Sequence, residues 1–189
     1  MLKLFEEVGD IEAFQTPNDT CEYMAGLLPD NCGAILEPTP GKGHLVRALA
    51  KKGTVIAPAR FEDIAPGAHF DYVVMNPPFT PMSAGYKYLL AVTEMTDNII
   101  ALLPWFILIN SENRLNYIHR WGLVSVTSLP RNTFPGCRIQ CCILEMKKGY
   151  QGDTKFHIFT GKANPKKETL KVLEICRTKM PTEAKRKPK

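Results

Sequence analysis

The chain has 189 residues, a 44% hydrophobic share, six cysteines and a formal net charge of +5. That length gives one domain with at most a short appendage, and the apolar share is enough for a real core. It carries neither a secretory signal pattern nor a long apolar span, so the expectation is a cytoplasmic protein with no membrane association.

The charge is unevenly placed. Residues 166–189 hold nine Lys or Arg against three Glu, a net of +6, which leaves the other 165 residues at about −1. The folded part is therefore near neutral. The basic end suits either loose, salt-sensitive attraction to phosphates or a solubilising tail. The cysteines stand at positions 21, 32, 137, 141, 142 and 176, with no Cys-x-x-Cys pair. Zinc-ribbon and thioredoxin-like readings have no support, and reduced, mostly buried thiols are expected. For Cys137, Cys141 and Cys142, a place in a strand is favoured over a metal site.

In chain order, Phe14-Gln15-Thr16-Pro17 precedes a helical pattern. Asn18 or Asp19 is its expected N-cap, with Tyr23, Met24, Leu27 and Leu28 on one face. Ala34 to Leu36 reads as a short apolar strand running into Glu37-Pro38-Thr39-Pro40-Gly41-Lys42-Gly43, after which Leu45, Val46 and Leu49 continue as a helix. Thr54 to Ala57 is a strand, Phe70 to Met75 another, and Gly85 to Met95 a helix. Asn98 to Leu103 is a strand ending at Pro104, Ser111 to His119 a helix, and Leu123 to Leu129 and Ile139 to Met146 two further strands. This alternation predicts an α/β domain with a mainly parallel sheet and a C-terminal antiparallel hairpin at one edge. A catalytic domain over residues 1–161 is expected, followed by a basic helix and disordered tail over 162–189.

The most informative segment is Asn76-Pro77-Pro78-Phe79, directly after an apolar strand. Two prolines fix φ and remove two amide donors, and each pushes the residue before it to extended geometry. What remains is a rigid, acceptor-rich edge beside an aromatic ring, suited to a flat molecule bearing an amino group. The glycine loop is neither a phosphate loop, since His44 follows Gly43, nor a full dinucleotide fingerprint. Its Glu-x-x-x-Gly-x-Gly pattern lets backbone approach a ligand closely and places helix amides where a carboxylate can lie. Both loops follow strand ends, so in a parallel sheet they open on the same side.

Together these motifs resemble the amino-methyltransferases, a branch of the S-adenosylmethionine-dependent Rossmann-like methyltransferases. The likeness is greatest to adenine DNA methyltransferases. Phe14-Gln15-Thr16-Pro17 looks like the family's cofactor motif before the sheet. Glu37 to Gly43 looks like its Glu-Pro-x-x-Gly-x-Gly loop, and Asp71 to Phe79 like its catalytic strand and loop. Leu129 to Phe134 with Ile139 to Lys148 is similar to its final hairpin. The likeness spans roughly residues 10–148.

The resemblance implies roles. Phe14 belongs to the cofactor motif, and Thr16 and Pro17 would hold the methionine end of S-adenosylmethionine through backbone contacts. Gly41 and Gly43, after Pro38, would let that end lie against the loop near Glu37. Phe61 would pack on the cofactor adenine. Asn76 and the Pro77 carbonyl would accept hydrogen bonds from the target amine, with Pro78 stiffening the loop and Phe79 stacking on the base. No metal is implied. The chain departs from the family in having no acid in Val55-Ile56-Ala57-Pro58-Ala59, in Arg60 before Phe61, and in a short interval from Gly43 to Asn76 that implies a trimmed strand–helix unit. Nothing after Lys148 is long enough for a target-recognition domain. The implied function is methylation of adenine in DNA, loosely specific or with a partner protein supplying specificity. RNA adenine, a glutamine side chain of a translation factor, and a non-catalytic subunit of the same fold are the competing readings. Trp105, Arg114, His119, Arg120 and Trp121 are candidates for a nucleic-acid surface.

Overall fold

The computed structural model describes residues 15–134 and 139–161. Helix α1 (Asn18–Gly26) leads into β1 (Ala34–Leu36), α2 (His44–Leu49) and β2 (Thr54–Ile56). After a 3-10 turn (Phe61–Asp63) come β3 (Tyr72–Met75), α3 (Ala84–Val92) and β4 (Asn98–Pro104). Helices α4 (Phe106–Ile109) and α5 (Glu112–Gly122) precede β5 (Leu123–Ser128), a 3-10 turn (Arg131–Thr133), β6 (Cys141–Lys147) and β7 (Lys155–Ile158).

The strands form one seven-stranded sheet in the order β2-β1-β3-β4-β6-β5-β7. β6 runs antiparallel to both neighbours, β4 and β5, and every other pairing is parallel. This is the expected α/β architecture, with two differences. The antiparallel pair is not an edge hairpin, because β6 inserts between β4 and β5 and β7 takes the edge. Neither β7 nor α4 was expected. Lys155-Phe156-His157-Ile158 is short and half polar, as an edge strand can be, and α4 spans a single turn.

The continuous apolar runs of β1, β3 and β4 are explained by burial on both faces. Ile35, Val74, Ile100, Leu102 and Ile143 pack against α1 and α2 through Tyr23, Met24, Leu45 and Leu49, with Leu28 of the turn after α1 in the same cluster. The alternate residues Leu36, Val73, Met75, Ala101, Leu103 and Leu144 pack on the other face against Tyr88, Leu89 and Val92 of α3 and Ile118 of α5. A one-residue slip would exchange the two sets, which fixes the register.

Element ends differ slightly from expectation. The N-cap of α1 is Pro17, with Asn18 already helical, because the Pro17 carbonyl accepts from Cys21 N at 2.9 Å. Helix α3 stops at Val92 rather than Met95. There Thr93 Oγ1 turns back to donate to the Leu90 carbonyl at 2.7 Å, a local bond that competes with helix continuation. Between β2 and β3 the chain makes only the 3-10 turn, in keeping with a trimmed strand–helix unit. Cys141 and Cys142 lie in β6, one on each core cluster. Cys137, Cys176 and the expected tail over 162–189 lie outside the described residues.

Candidate active site

The carboxyl ends of β1 and β3 are adjacent, with Leu36 opposite Val73. Glu37 and Asn76 each leave a buried strand at that same edge, so the two loops open on one side as the parallel order requires.

The first motif comes to meet them. Asn76 Nδ2 donates to Thr16 Oγ1 at 2.8 Å. Lys42 N, inside the glycine loop, donates to Gln15 Oε1 at 2.9 Å. The Thr16 carbonyl is 3.2 Å from His44 Nδ1, at the start of α2. A carbonyl can only accept, so this contact requires the tautomer with the proton on Nδ1. The Cys21 thiol donates to the same carbonyl at 3.5 Å. Thr16 is thus 5% exposed and tied to α1, to α2 and to the Asn76 loop.

The glycine loop owes its shape to backbone that other residues avoid. Gly41 has φ +49 and Gly43 φ +74, the left-handed region where glycine is favoured. Gly43 N donates to the Pro40 carbonyl at 2.7 Å, and Arg47 Nη1 to the Lys42 carbonyl at 3.1 Å, which closes the turn. A Cβ on Gly43 would approach only the Arg47 guanidinium, at 3.6 Å.

Glu37 is 1% exposed. Its Oε1 accepts from Thr39 N at 2.8 Å and Thr39 Oγ1 at 2.9 Å. No ion pair among the described residues reaches it. Burial pushes its carboxyl from an ordinary 4.5 up to about 8, against the opposing pull of the two Thr39 bonds. The thiol of Cys21 is pushed up to about 12, by burial first and by the charge of Glu37 second. A buried carboxylate without a cation is costly. It fits a ligand that brings its own positive charge.

Pro38 and Pro77 are buried, while Asn76, Pro78, Phe79 and Pro17 are half-buried. The Phe79 ring packs against the core cluster on the α1 and α2 side. Phe61 is half-buried in the 3-10 turn after β2, edge-on to Tyr88 with ring centroids 5.3 Å apart. Arg60 is held by Asp63, through a 3.2 Å ion pair. Phe14 lies outside the described residues.

The proposed nucleic-acid surface residues do not assemble. Trp105 follows β4 at the carboxyl edge, its ring 6.2 Å from Phe156. His119, Arg120 and Trp121 sit at the end of α5, just before β5. β5 runs parallel to β4, so its first residues lie at the opposite edge from Asn76. Arg114 lies over the Tyr86 ring, 4.8 Å from its centroid. Sequence reading missed Gln15 and His44 as loop anchors. Gln15 was visible beside Thr16, but its partner was not.

No family model and no curated protein matches the chain. Solved structures do. A modification subunit of a putative type I restriction enzyme from Vibrio vulnificus YJ016 superposes with a TM-score of 0.63 at 12% identity, over 93% of this chain and 55% of that one. A type I restriction-modification methyltransferase subunit from Streptococcus thermophilus gives 0.60 at 15%, over 90% and 54%. A putative class I S-adenosylmethionine-dependent methyltransferase from Listeria monocytogenes gives 0.61 at 11%, over 86% and 70%. The chain spans about half the length of the first two. No helix among the described residues is long and apolar enough to cross a membrane. Sheet order, the antiparallel β6 and these superpositions together give the chain the Rossmann-like methyltransferase fold.

Proposed function

We propose that this chain transfers a methyl group from S-adenosylmethionine to the exocyclic amine of adenine in DNA, with little sequence specificity of its own or with a partner protein supplying it. The observation that carries the reading is the junction of three motifs at one sheet edge. Asn76 is bonded to Thr16, and Gln15 beside it is bonded to the glycine loop that follows Glu37. DNA and a partner subunit are supported by the neighbours described as type I modification and methyltransferase subunits, and by one described in terms of type I complex assembly.

The residues present fit that cofactor. Glu37 is a buried carboxyl with no cation paired to it among the described residues, and once ionised it would suit the ammonium and sulfonium charges of the methionine end. Gly41 and Gly43 add no side chain of their own to the loop, although the Gln15 side-chain amide lies 3.0 Å from where a Cβ on Gly41 would sit. The Thr16 carbonyl is taken by His44 and Cys21 and the Pro17 carbonyl by Cys21 N, so backbone contact with the same end would fall to the Thr16 amide, and Phe61 offers a ring in the turn after β2. When bound, S-adenosylmethionine supplies a methyl group on a positively charged sulfur.

An aromatic amine is a poor nucleophile because its lone pair is spread into the ring. Asn76 Oδ1 and the Pro77 carbonyl, accepting from the two amine hydrogens, draw the nitrogen towards tetrahedral geometry and stabilise the positive charge that grows on it. Pro77 and Pro78 hold those acceptors still, so alignment rather than a general base provides much of the rate. S-adenosylmethionine held near Glu37, Gly41 and Gly43 would supply the methyl group to the amine nitrogen, and its sulfur would keep the electron pair of the bond given up. The surplus amine proton then passes to water. In duplex DNA the base must leave the stack, and Phe79 replaces part of the lost stacking.

A second reading, a non-catalytic subunit, is favoured by one observation. The stretch between β2 and β3 is a single 3-10 turn, and Asp63 within it is occupied by Arg60. Titration calorimetry with S-adenosylmethionine separates the two. Heat of binding supports the enzyme, and its absence the second reading.

A further inference from the structure

We propose that Arg114, laid over the Tyr86 ring at the sheet edge that carries the Asn76 loop, is a clamp for a backbone phosphate of the DNA that holds the target adenine. This rests on the methyl-transfer reading above and adds to it a binding contact outside the cofactor and base sites.

The topology brings the pair to that edge. Helix α3 starts after the Asn76 loop, and Tyr86 lies in its first turn. A Cβ on the preceding Gly85 would meet Leu103 at 3.0 Å and Pro104 at 3.8 Å, so this turn of α3 lies on the carboxyl end of β4. β4 runs parallel to β3, whose last residue precedes Asn76. Arg114 lies in the first turn of α5, which the chain enters from the same end of β4. Arg120, six residues on, is in the last turn of α5, at the opposite edge.

The guanidinium is held without being neutralised. Its central carbon is 4.8 Å from the Tyr86 ring centroid, a cation–π contact. The Tyr86 ring stands edge-on to Tyr117, with centroids 6.5 Å apart. Thr93 Oγ1 gives its one proton to the Leu90 carbonyl at 2.7 Å, so the Tyr117 hydroxyl is the donor in its 3.0 Å bond to Thr93. Arg114 N donates to Ser111 Oγ at 3.4 Å. Helices α3 and α5 therefore both locate the cation. No ion pair among the described residues reaches it. Glu112, the acid of that first turn, is two positions away and does not face it along the helix. Arg114 is half-buried, so part of its surface stays open to a ligand. A planar guanidinium presents a fork of N–H donors that matches two phosphate oxygens, and a stacked one is pre-organised for them. Such a contact fixes the duplex without reading its sequence, in keeping with a chain of little specificity of its own.

The test uses the full chain and a fluorescently labelled, adenine-containing duplex, with Kd read by anisotropy at several salt concentrations. Arg114→Gln should raise Kd roughly tenfold. It should also lower the slope of log affinity against log salt by about one, the signature of one lost phosphate contact. Arg120→Gln removes the same charge from the far end of the same helix and should leave both quantities close to wild type. Tyr86→Leu keeps the charge and removes the ring, so Kd should rise about threefold, while Tyr86→Phe should bind as wild type. Should Arg114→Gln fail to fold, Arg114→Lys decides, because it keeps the charge and loses the fork. Its Kd should rise with the slope retained, and a wild-type Kd there would overturn the clamp. Equal effects of Arg114→Gln and Arg120→Gln would reduce the attraction to diffuse charge and overturn the proposal. An unchanged slope in Arg114→Gln, or a wild-type chain that binds no duplex, would do the same. A wild-type chain that binds duplex, shows the expected loss in Arg114→Gln and transfers no methyl group would remove the methyl-transfer reading and leave the clamp standing.

Discussion

Asn76 and Thr16, sixty residues apart, are joined side chain to side chain at 2.8 Å. This bond ties the segment before α1 to the loop after β3, and so the proposed cofactor segment to the proposed acceptor.

Asn76→Ala should abolish methyl transfer while leaving S-adenosylmethionine affinity close to wild type. The side chain is half-buried at a loop, so stability should fall by only about 1 kcal/mol. Comparing the calorimetric Kd and melting temperature of wild type and variant checks this. Loss of binding together with transfer would mean that Asn76 is structural.

Glu37 gives the site a pH dependence. Its folded carboxyl titrates near 8 against an ordinary 4.5, so between those values the folded chain binds a proton that the unfolded chain has released. Stability of the ligand-free chain is therefore greatest below about pH 4.5 as far as this group is concerned. It falls as pH rises to about 8, on the order of 1 kcal/mol per pH unit. A cationic ligand holds Glu37 ionised, so affinity for S-adenosylmethionine should climb over the same range and level off above it. The nearby Cys21 thiol, up at about 12, stays neutral throughout. Glu37→Gln should flatten both profiles, raising the melting temperature at pH 8 and weakening cofactor binding. A variant with wild-type affinity at pH 8 would show that the cofactor charge does not reach Glu37.

Gly43→Ala should weaken cofactor binding through the backbone. At φ +74 an alanine costs roughly 1–2 kcal/mol, and its Cβ has only the Arg47 guanidinium within 4 Å. A drop of a few degrees in melting temperature should accompany a measurable rise in Kd. The same melting change with unaltered Kd would place the cofactor elsewhere.

Phe79→Ala has two expected effects. The ring packs on the core, so about 1–2 kcal/mol of stability should be lost. Transfer to duplex DNA should fall more than transfer to single strands, because only the duplex must give up stacking. Equal loss on both substrates would leave Phe79 with packing alone.

Much of this was legible in the sequence, for a physical reason. Strands β1, β3 and β4 are buried on both faces, and their unbroken apolar runs announce it. The glycine loop and the Asn76 loop follow those strands, so their shared edge follows from the parallel order. β7 was missed because Phe156 and Ile158 remain exposed on an edge strand, where no burial pattern marks it. His119, Arg120 and Trp121 were grouped with Trp105 by charge and ring. The direction of β5 sends them to the other edge. The Thr16–Asn76 bond and the proton on Glu37 are properties of packing between distant segments, which spacing along a chain does not encode.

The most direct test of the central claim is transfer of labelled methyl from S-adenosylmethionine to duplex DNA, single-stranded DNA, RNA and protein extract, with Asn76→Ala beside the wild type. Digestion and mass spectrometry then identify the product. The account predicts methyladenine in DNA from the wild type and none from Asn76→Ala. Methyl transfer to another substrate, or none at all with no cofactor binding, would contradict it.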